Sequence, residues 1–132
     1  MKIRIHYHHT DCGGVVYYAN YLKFLEEARW EFLEARKVYI KELRERGVGF
    51  VVARQEIDYK SPAIYGDVLV TDTWLSKISR ASLEFGYDIK KEDGTLVVSA
   101  KTVLVFVDGK FKPTAIPDDV REKLVSFVRQ QK

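Results

Sequence analysis

Residues 10–29 read TDCGGVVYYANYLKFLEEAR, a turn-rich segment that runs without a break into a helical pattern. Asp11 is followed by Gly13 and Gly14, which let a backbone turn tightly or approach a ligand closely. Asn20 suits an N-cap, and Glu26 and Glu27 fall early in the helix, where they favour its positive end. Tyr21, Leu25, Ala28, Phe32, Ala35 and Tyr39 recur at helical spacing, and Leu22, Phe24, Trp30 and Leu33 widen the apolar face, so the helix is expected to be buried on several sides. From Tyr21 to about Arg46 there is neither Gly nor Pro. One helix of that length would span roughly 39 Å, long for a domain of this size. A break near Lys37-Val38 is therefore expected, with a second short helix ending at Gly47, a natural C′ residue.

Upstream, Lys2 to His8 alternates, with Ile3, Ile5 and Tyr7 against Lys2, Arg4, His6 and His8, which reads as a half-buried strand. Downstream the period also becomes two. Phe50 to Tyr59, Val68 to Ser76, Ser82 to Lys90 and Thr95 to Val107 are the expected strands. Asp93-Gly94 marks a hairpin and Asp108-Gly109 a further turn. Pro117 opens an amphipathic closing helix carrying Val120, Leu124, Phe127 and Val128. Short turns require antiparallel neighbours. The fold class is thus α+β, a five-stranded antiparallel sheet with one long helix on one face and a short C-terminal helix. Val97, Val103, Val105 and Val107 lie on the side away from Leu96, Val98, Leu104 and Phe106, so both sheet faces look apolar and a second covered surface is expected, such as another subunit.

The chain has 132 residues, 46% hydrophobic and 31% charged, with 22 basic and 19 acidic side chains and a net charge of +3. That suits one globular domain over residues 1–132, and the near-even charge makes no electrostatic case for nucleic acid. A single cysteine fits a reducing compartment. No apolar run approaches the ~20 residues of a membrane span, and MKIRIHYHH has no apolar core of a signal peptide. A cytoplasmic location is the expectation.

All three histidines, the cysteine and Asp11 crowd into residues 6–12. His6, His8, His9, Asp11 and Cys12 are of the right types for zinc, but their spacing matches no recognised pattern and no second ligand pair follows, so no metal site is assigned. Cys12 as a nucleophile would need a lowered pKa and a base, and a small buried thiol beside Gly13 is the plainer reading. Asp11 is the third candidate. A helix begins a few residues later, and its first N–H groups lack internal partners and can polarise a carbonyl. One loop then offers a carboxylate and carbonyl-binding donors, which suits attack on an acyl group. From spacing alone, a turn-capping Asp11 and a catalytic one both remain open.

The run TDCGGVVYYANYLKFLEEAR resembles the signature of hotdog-fold acyl-CoA thioesterases of the 4-hydroxybenzoyl-CoA thioesterase family, nearest to its Tol-Pal-associated branch. The family pattern is roughly D-T-D-x-G-G-V-V-Y-H-A-N-Y-L, leading into a helix with Glu-x-Ala-Arg. The resemblance extends over most of the chain, through element order, KSPAIYGD at 60–67 and SRAS at 79–82. It implies a hotdog fold, the long helix wrapped by the sheet, and hydrolysis of acyl-CoA thioesters without metal or redox cofactor. The second Asp of the motif falls on Asp11, the implied nucleophile or general base, and the backbone N–H of Tyr18 is the implied carbonyl donor. SRAS matches a stretch that contacts CoA phosphates, which points to Arg80, with Lys77 and Ser82 behind it. Glu26 is the alternative carboxylate. The implied assembly is a homo-oligomer, a dimer and then a tetramer, with the active site between subunits.

Two positions depart from the pattern. His9 replaces the first Asp, where it could hydrogen-bond Asp11 or simply face solvent. Tyr18 stands where the branch often has His, which leaves no imidazole role there. Two rival functions share the fold: a dehydratase acting on hydroxyacyl thioesters, which needs a His paired with an acid, and a non-catalytic acyl-CoA-binding subunit.

Overall fold

The computed structural model describes residues 1–129; the last three residues of the expected 1–132 domain, Gln130, Gln131 and Lys132, lie outside the described residues. Five antiparallel strands form one sheet in the order β1-β3-β4-β5-β2. They are β1 (Lys2–Arg4), β2 (Gly49–Tyr59), β3 (Val68–Ile78), β4 (Ser82–Lys91) and β5 (Leu96–Val107). The helices are α1 (Asn20–Ala35), α2 (Ile40–Glu45) and α3 (Asp118–Leu124). The four later strands and the α+β class agree with the sequence reading.

The first strand does not. It ends at Arg4, Ile5 is fully buried and its N–H bonds Asp67 O at 2.7 Å, and Tyr7–His9 form a 3-10 turn. The alternation through His8 is a property of residue types that the backbone does not follow, because the chain must turn here to cross the end of the sheet. Asn20 is likewise inside α1, with Ala19 at the N-cap. Its side chain donates to His9 O at 2.9 Å and so ties the loop to the helix.

The expected break in the long helix is present. Lys37 adopts φ +64° between α1 and α2, and Gly47, at φ +78°, follows the second helix. The left-handed residue ends each helix by turning the chain away from its axis.

α1 packs across one face of the sheet. Its Phe24, Leu25, Ala28, Phe32 and Leu33 are buried together with Leu69, Leu75, Leu83, Phe85, Ile89, Val98 and Leu104. The Phe32 and Phe85 rings meet edge to face at 5.4 Å. Each fully buried Leu or Phe contributes about 1.5–3 kcal/mol, which sets the helix position and with it the loop at the helix N-terminus.

The opposite sheet face is less apolar than the valine pattern implied. Val97 and Val107 are buried within the chain itself, and Val103 and Val105 are half-buried. Charged neighbours surround them, with Lys101 paired to Glu84 at 3.7 Å. β2 pairs only with β5, so its outer edge, with exposed Val51 and Val52, is unpaired among the described residues. No described helix is long and apolar enough to cross a membrane.

Candidate active site

The segment from Thr10 to Val16 closes on itself. Asp11 N–H donates to Val15 O at 2.9 Å, and Gly14 N–H donates back to Asp11 O at 3.0 Å. The Asp11 carboxylate accepts from Gly13 N–H at 2.8 Å, and its other oxygen is left to solvent on an exposed side chain. Geometry favours both glycines: a Cβ on Gly13 would press on Asp11 Oδ1 at 3.1 Å, and Gly14 holds φ +82°. The loop is anchored to the 60–67 turn, since Val16 N–H donates to Ala63 O at 2.8 Å and Val15 bridges Ile64. Asp67 in turn stabilises that turn by accepting from Ile64 N–H at 2.9 Å.

Tyr17 N–H donates to His9 O at 2.9 Å, and the next N–H groups bonded in the chain are those of Asn20, Tyr21 and Leu22, each reaching back three residues. The Tyr18 N–H has no acceptor among the described residues. It therefore sits two residues before α1 as an available donor at the positive end of a 16-residue helix. Beside it is a cleft of about 300 Å³ lined by Val15, Val16, Tyr18, Tyr21, Tyr59 and Pro62. Tyr59 donates its hydroxyl proton to Tyr18 O at 3.3 Å, fixing the peptide on the far side of that N–H. Burial, reinforced by nearby Tyr59, pushes the Tyr21 phenol up to about 12, and burial also raises Tyr59. Both phenols stay neutral and can donate. The sequence pattern places Tyr21 in the core and Tyr59 at a strand end. Their aromatic character was the available signal, but nothing in the spacing joined them to Tyr18.

His9 does not bond Asp11. Its Nδ1 accepts the His6 N–H at 2.9 Å and its ring lies edge-on to Phe24 at 5.3 Å. Burial, then the charges of His8, His6 and Lys23, lower its pKa below the usual 6.5. The His6 and His8 rings stack in parallel at 5.8 Å. Among the described residues no three His, Cys, Asp or Glu side chains converge as a metal site. Cys12 is exposed, contrary to the buried thiol expected.

Glu26 is exposed and makes no ion pair among the described residues. Arg80 and Lys77 are exposed and Ser82 is half-buried, all at the β3–β4 hairpin. That hairpin is held by Ile116 N–H donating to Arg80 O at 2.9 Å and by Arg121 donating to Ser79 O at 2.8 Å. It lies at the opposite end of the sheet from Asp11. The Asp11 loop touches Ala63 and Ile64, just before β3 begins, whereas the hairpin follows its end. At about 3.3 Å per residue, the strand between them is roughly 33 Å long. One chain carries Asp11 and Tyr18 on the same loop and keeps Arg80, Lys77 and Ser82 apart from them.

A buried polar chain also went unread. Arg29, only 5% exposed and without a carboxylate partner among the described residues, lies beside the Tyr87 hydroxyl. Tyr87 Oη–H donates to Thr102 Oγ1 at 3.0 Å, and Thr102 Oγ1–H to Gln55 Oε1 at 2.7 Å. Gln55 Nε2–H then donates to Lys101 O at 3.0 Å, so the aligned donors run from α1 to the free edge strand. Arg29 stands in the Glu-x-Ala-Arg part of the motif, which gave the only hint.

A family model of the thioesterase-like superfamily matches residues 5–124. The chain belongs to that superfamily. Superfamily relatives are similar along nearly their whole length. The chain is 39% identical over 122 residues to the acyl-CoA thioesterase YbgC of Haemophilus influenzae, covering 90% of this chain and 88% of that protein. It is 36% identical over 119 residues to the acyl-CoA thioester hydrolase YbgC of Escherichia coli O6:H1, covering 89% of each. The crystal structure of a 1,4-dihydroxy-2-naphthoyl-CoA thioesterase from Synechocystis superposes with a TM-score of 0.88 at 22% identity, over 95% of this chain and 93% of that one. At that identity the likeness carries the fold, and the thioesterase hotdog architecture expected from the motif is the architecture found. The superfamily match spans both the Asp11 loop and the Arg80 hairpin.

Proposed function

We propose that this chain hydrolyses acyl-CoA thioesters to the free acid and CoA. The observation that carries the reading is the pairing, on one anchored loop, of the exposed Asp11 carboxylate with the uncommitted Tyr18 N–H. The thioester oxygen accepts from Tyr18 N–H, where the helix end stabilises the negative charge of the tetrahedral species. The Asp11 oxygen left to solvent attacks the carbonyl carbon, the C–S bond breaks, and the thiolate departs with the electron pair. Water then cleaves the mixed anhydride and restores Asp11. In the base route Asp11 instead takes a proton from water as that water attacks. A single turnover in 18O-water separates the two: water that cleaves the anhydride at the Asp11 carbonyl leaves the label in the Asp11 carboxylate and none in the released acid, whereas the base route puts it in the acid. The dehydratase reading loses support, since the His9 Nδ1 is engaged by a backbone N–H and no acid.

Arg80, with Lys77 and Ser82, is the proposed phosphate-binding group, and Arg suits bidentate phosphate contact. Its distance from Asp11 argues that the complete site needs two chains. Antiparallel pairing of two β2 edges would set the hairpin end of one sheet beside the Asp11 end of the other. The proposed assembly is a dimer of this kind, with dimers joined into a tetramer through the outer sheet faces.

The first experiment is release of free thiol from short, long and aromatic acyl-CoAs by wild type and Asp11→Asn. Asp11→Asn is expected to lose turnover by about 10³-fold while retaining CoA binding. Undiminished turnover in the variant would transfer the carboxylate role to Glu26, and no turnover by wild type on any substrate would reduce the chain to a binding subunit.

A further inference from the structure

A second cleft, of about 480 Å³, opens at the end of the sheet that carries Arg80. Trp30, Ile40, Val48, Phe50 and Phe111 give it apolar and aromatic walls, and Arg44 adds a cation. Phe111 is 78% exposed and sits at φ +61°, a conformation that L side chains rarely hold. An exposed aromatic ring on such backbone gains nothing from burial in its own chain. The turn that presents it is built by Asp108, whose Oδ1 accepts the N–H groups of Lys110 at 2.8 Å and Lys112 at 3.1 Å. The acid in the cleft wall is therefore engaged in shaping the loop. Lys110 and Lys112 flank Phe111 in sequence, and Arg44 is the cation of the lining.

Strand register places this cleft next to the proposed phosphate site. Ser82 pairs with Val105 and Gly49 with Val107, and Phe106 N–H donates to Ala81 O at 2.7 Å. The Arg80 hairpin is thus two strands away from the start of β2, roughly 10 Å at strand spacing. Aromatic faces with Arg44 beside them and the Arg80 hairpin nearby have the chemistry of a nucleotide site, where the base stacks and the phosphates pair with positive charge. An acyl chain would use the apolar walls but not the cations, and the Tyr18–Tyr21–Tyr59 cleft already provides an apolar surface at the thioester end.

We propose that the Trp30–Phe50–Phe111 cleft binds the adenosine 3′-phosphate 5′-diphosphate head of the acyl-CoA, with the base on Phe111 and the phosphates shared between Arg44 and Arg80. This rests on the acyl-CoA reading above. The test is calorimetric titration of wild type, Phe111→Gly and Arg44→Glu with adenosine 3′,5′-bisphosphate. Alongside it, kcat and KM are measured on one acyl-CoA and on the N-acetylcysteamine thioester of the same acid. Phe111→Gly removes the ring and relieves the backbone, so it does not threaten folding. Wild type is expected to bind the bisphosphate, and each variant about tenfold more weakly. KM for the acyl-CoA should rise by a similar factor at unchanged kcat, while the truncated thioester reacts as in wild type. Failure of wild type to bind the bisphosphate, or equal binding by the variants, overturns the proposal. So does slower turnover of the truncated thioester in the variants, which would make the cleft an acyl site. If no thioester is hydrolysed, the hydrolase reading falls, and the bisphosphate titration still decides the cleft.

Discussion

Gly13 and Gly14 are adjacent, yet they do different work. Gly13 has ordinary backbone, and a Cβ there would press on the Asp11 carboxylate at 3.1 Å, so Ala must displace that oxygen by a few tenths of an ångström. Gly14 has open space around it but holds φ +82°, so Ala there costs conformational energy and touches nothing. Gly13→Ala should therefore lower kcat by about tenfold with stability nearly unchanged, since reacting groups tolerate little misplacement. Gly14→Ala should destabilise by roughly 1–2 kcal/mol. Steady-state kinetics and urea midpoints on both variants check this, and a Gly13→Ala enzyme with full kcat would contradict the proposed role of the Asp11 carboxylate.

His9 argues the same locality. Because its folded pKa lies below the ordinary 6.5, the unfolded chain binds the extra proton first. The His9 contribution to stability is fully present above that ordinary value, declines as pH falls through it, and is gone below the folded pKa. Protonation also removes Nδ1 as acceptor for the His6 N–H. His9→Gln, which retains a side-chain oxygen acceptor, should show a smaller drop in melting temperature than wild type between about pH 7.5 and 5.5. Asp11 could be singled out from sequence because Gly-Gly and a helix start stand next to it. The partner of His9 could not, because it is a backbone N–H reached only through a 3-10 turn that the alternating residue types disguise.

At the level of elements, helix length and apolar width foretold the break at Lys37, and turn residues delimited four strands nearly to the residue. What stayed illegible was contact across strands. Trp74 pairs with Gly86 on the outer face, and a Cβ on Gly86 would overlap the indole ring. That pairing depends on β3–β4 register, which shifts between Leu75 and Lys77, and no local pattern reveals such a shift. Gly86→Ala should therefore destabilise by about 1–3 kcal/mol through overpacking. In a Trp74→Ala background the same substitution should cost nothing or stabilise, because Ala suits a strand better than Gly. A double-mutant cycle by denaturant unfolding measures the coupling. Additive effects would mean the ring moves aside freely.

Strand order decides how the whole molecule can work, and it is not written in any short stretch. The motif at 10–29 and the SRAS segment at 79–82 read as parts of one site, yet β3 runs its full 11 residues between them. A chain folded this way cannot place its own Arg80 beside its own Asp11. The proposed two-fold pairing of free β2 edges would bring the two together, and the edge residues are compatible with it: around Gln55, Arg54 of one copy would oppose Glu56 of the other. If each site takes Asp11 from one chain and Arg80 from its partner, Asp11→Asn and Arg80→Ala chains will each be impaired as homodimers. Mixed and re-annealed, half the dimers are hybrids in which one site carries both lesions and the other carries neither. Activity at low substrate should then recover to roughly a quarter of wild type. A site completed within one chain would show no recovery on mixing. Ala53→Pro, placed on the unpaired edge at the bulge between Val52 and Arg54, should abolish that recovery by blocking edge pairing while Asp11 and Arg80 both remain in the mixture.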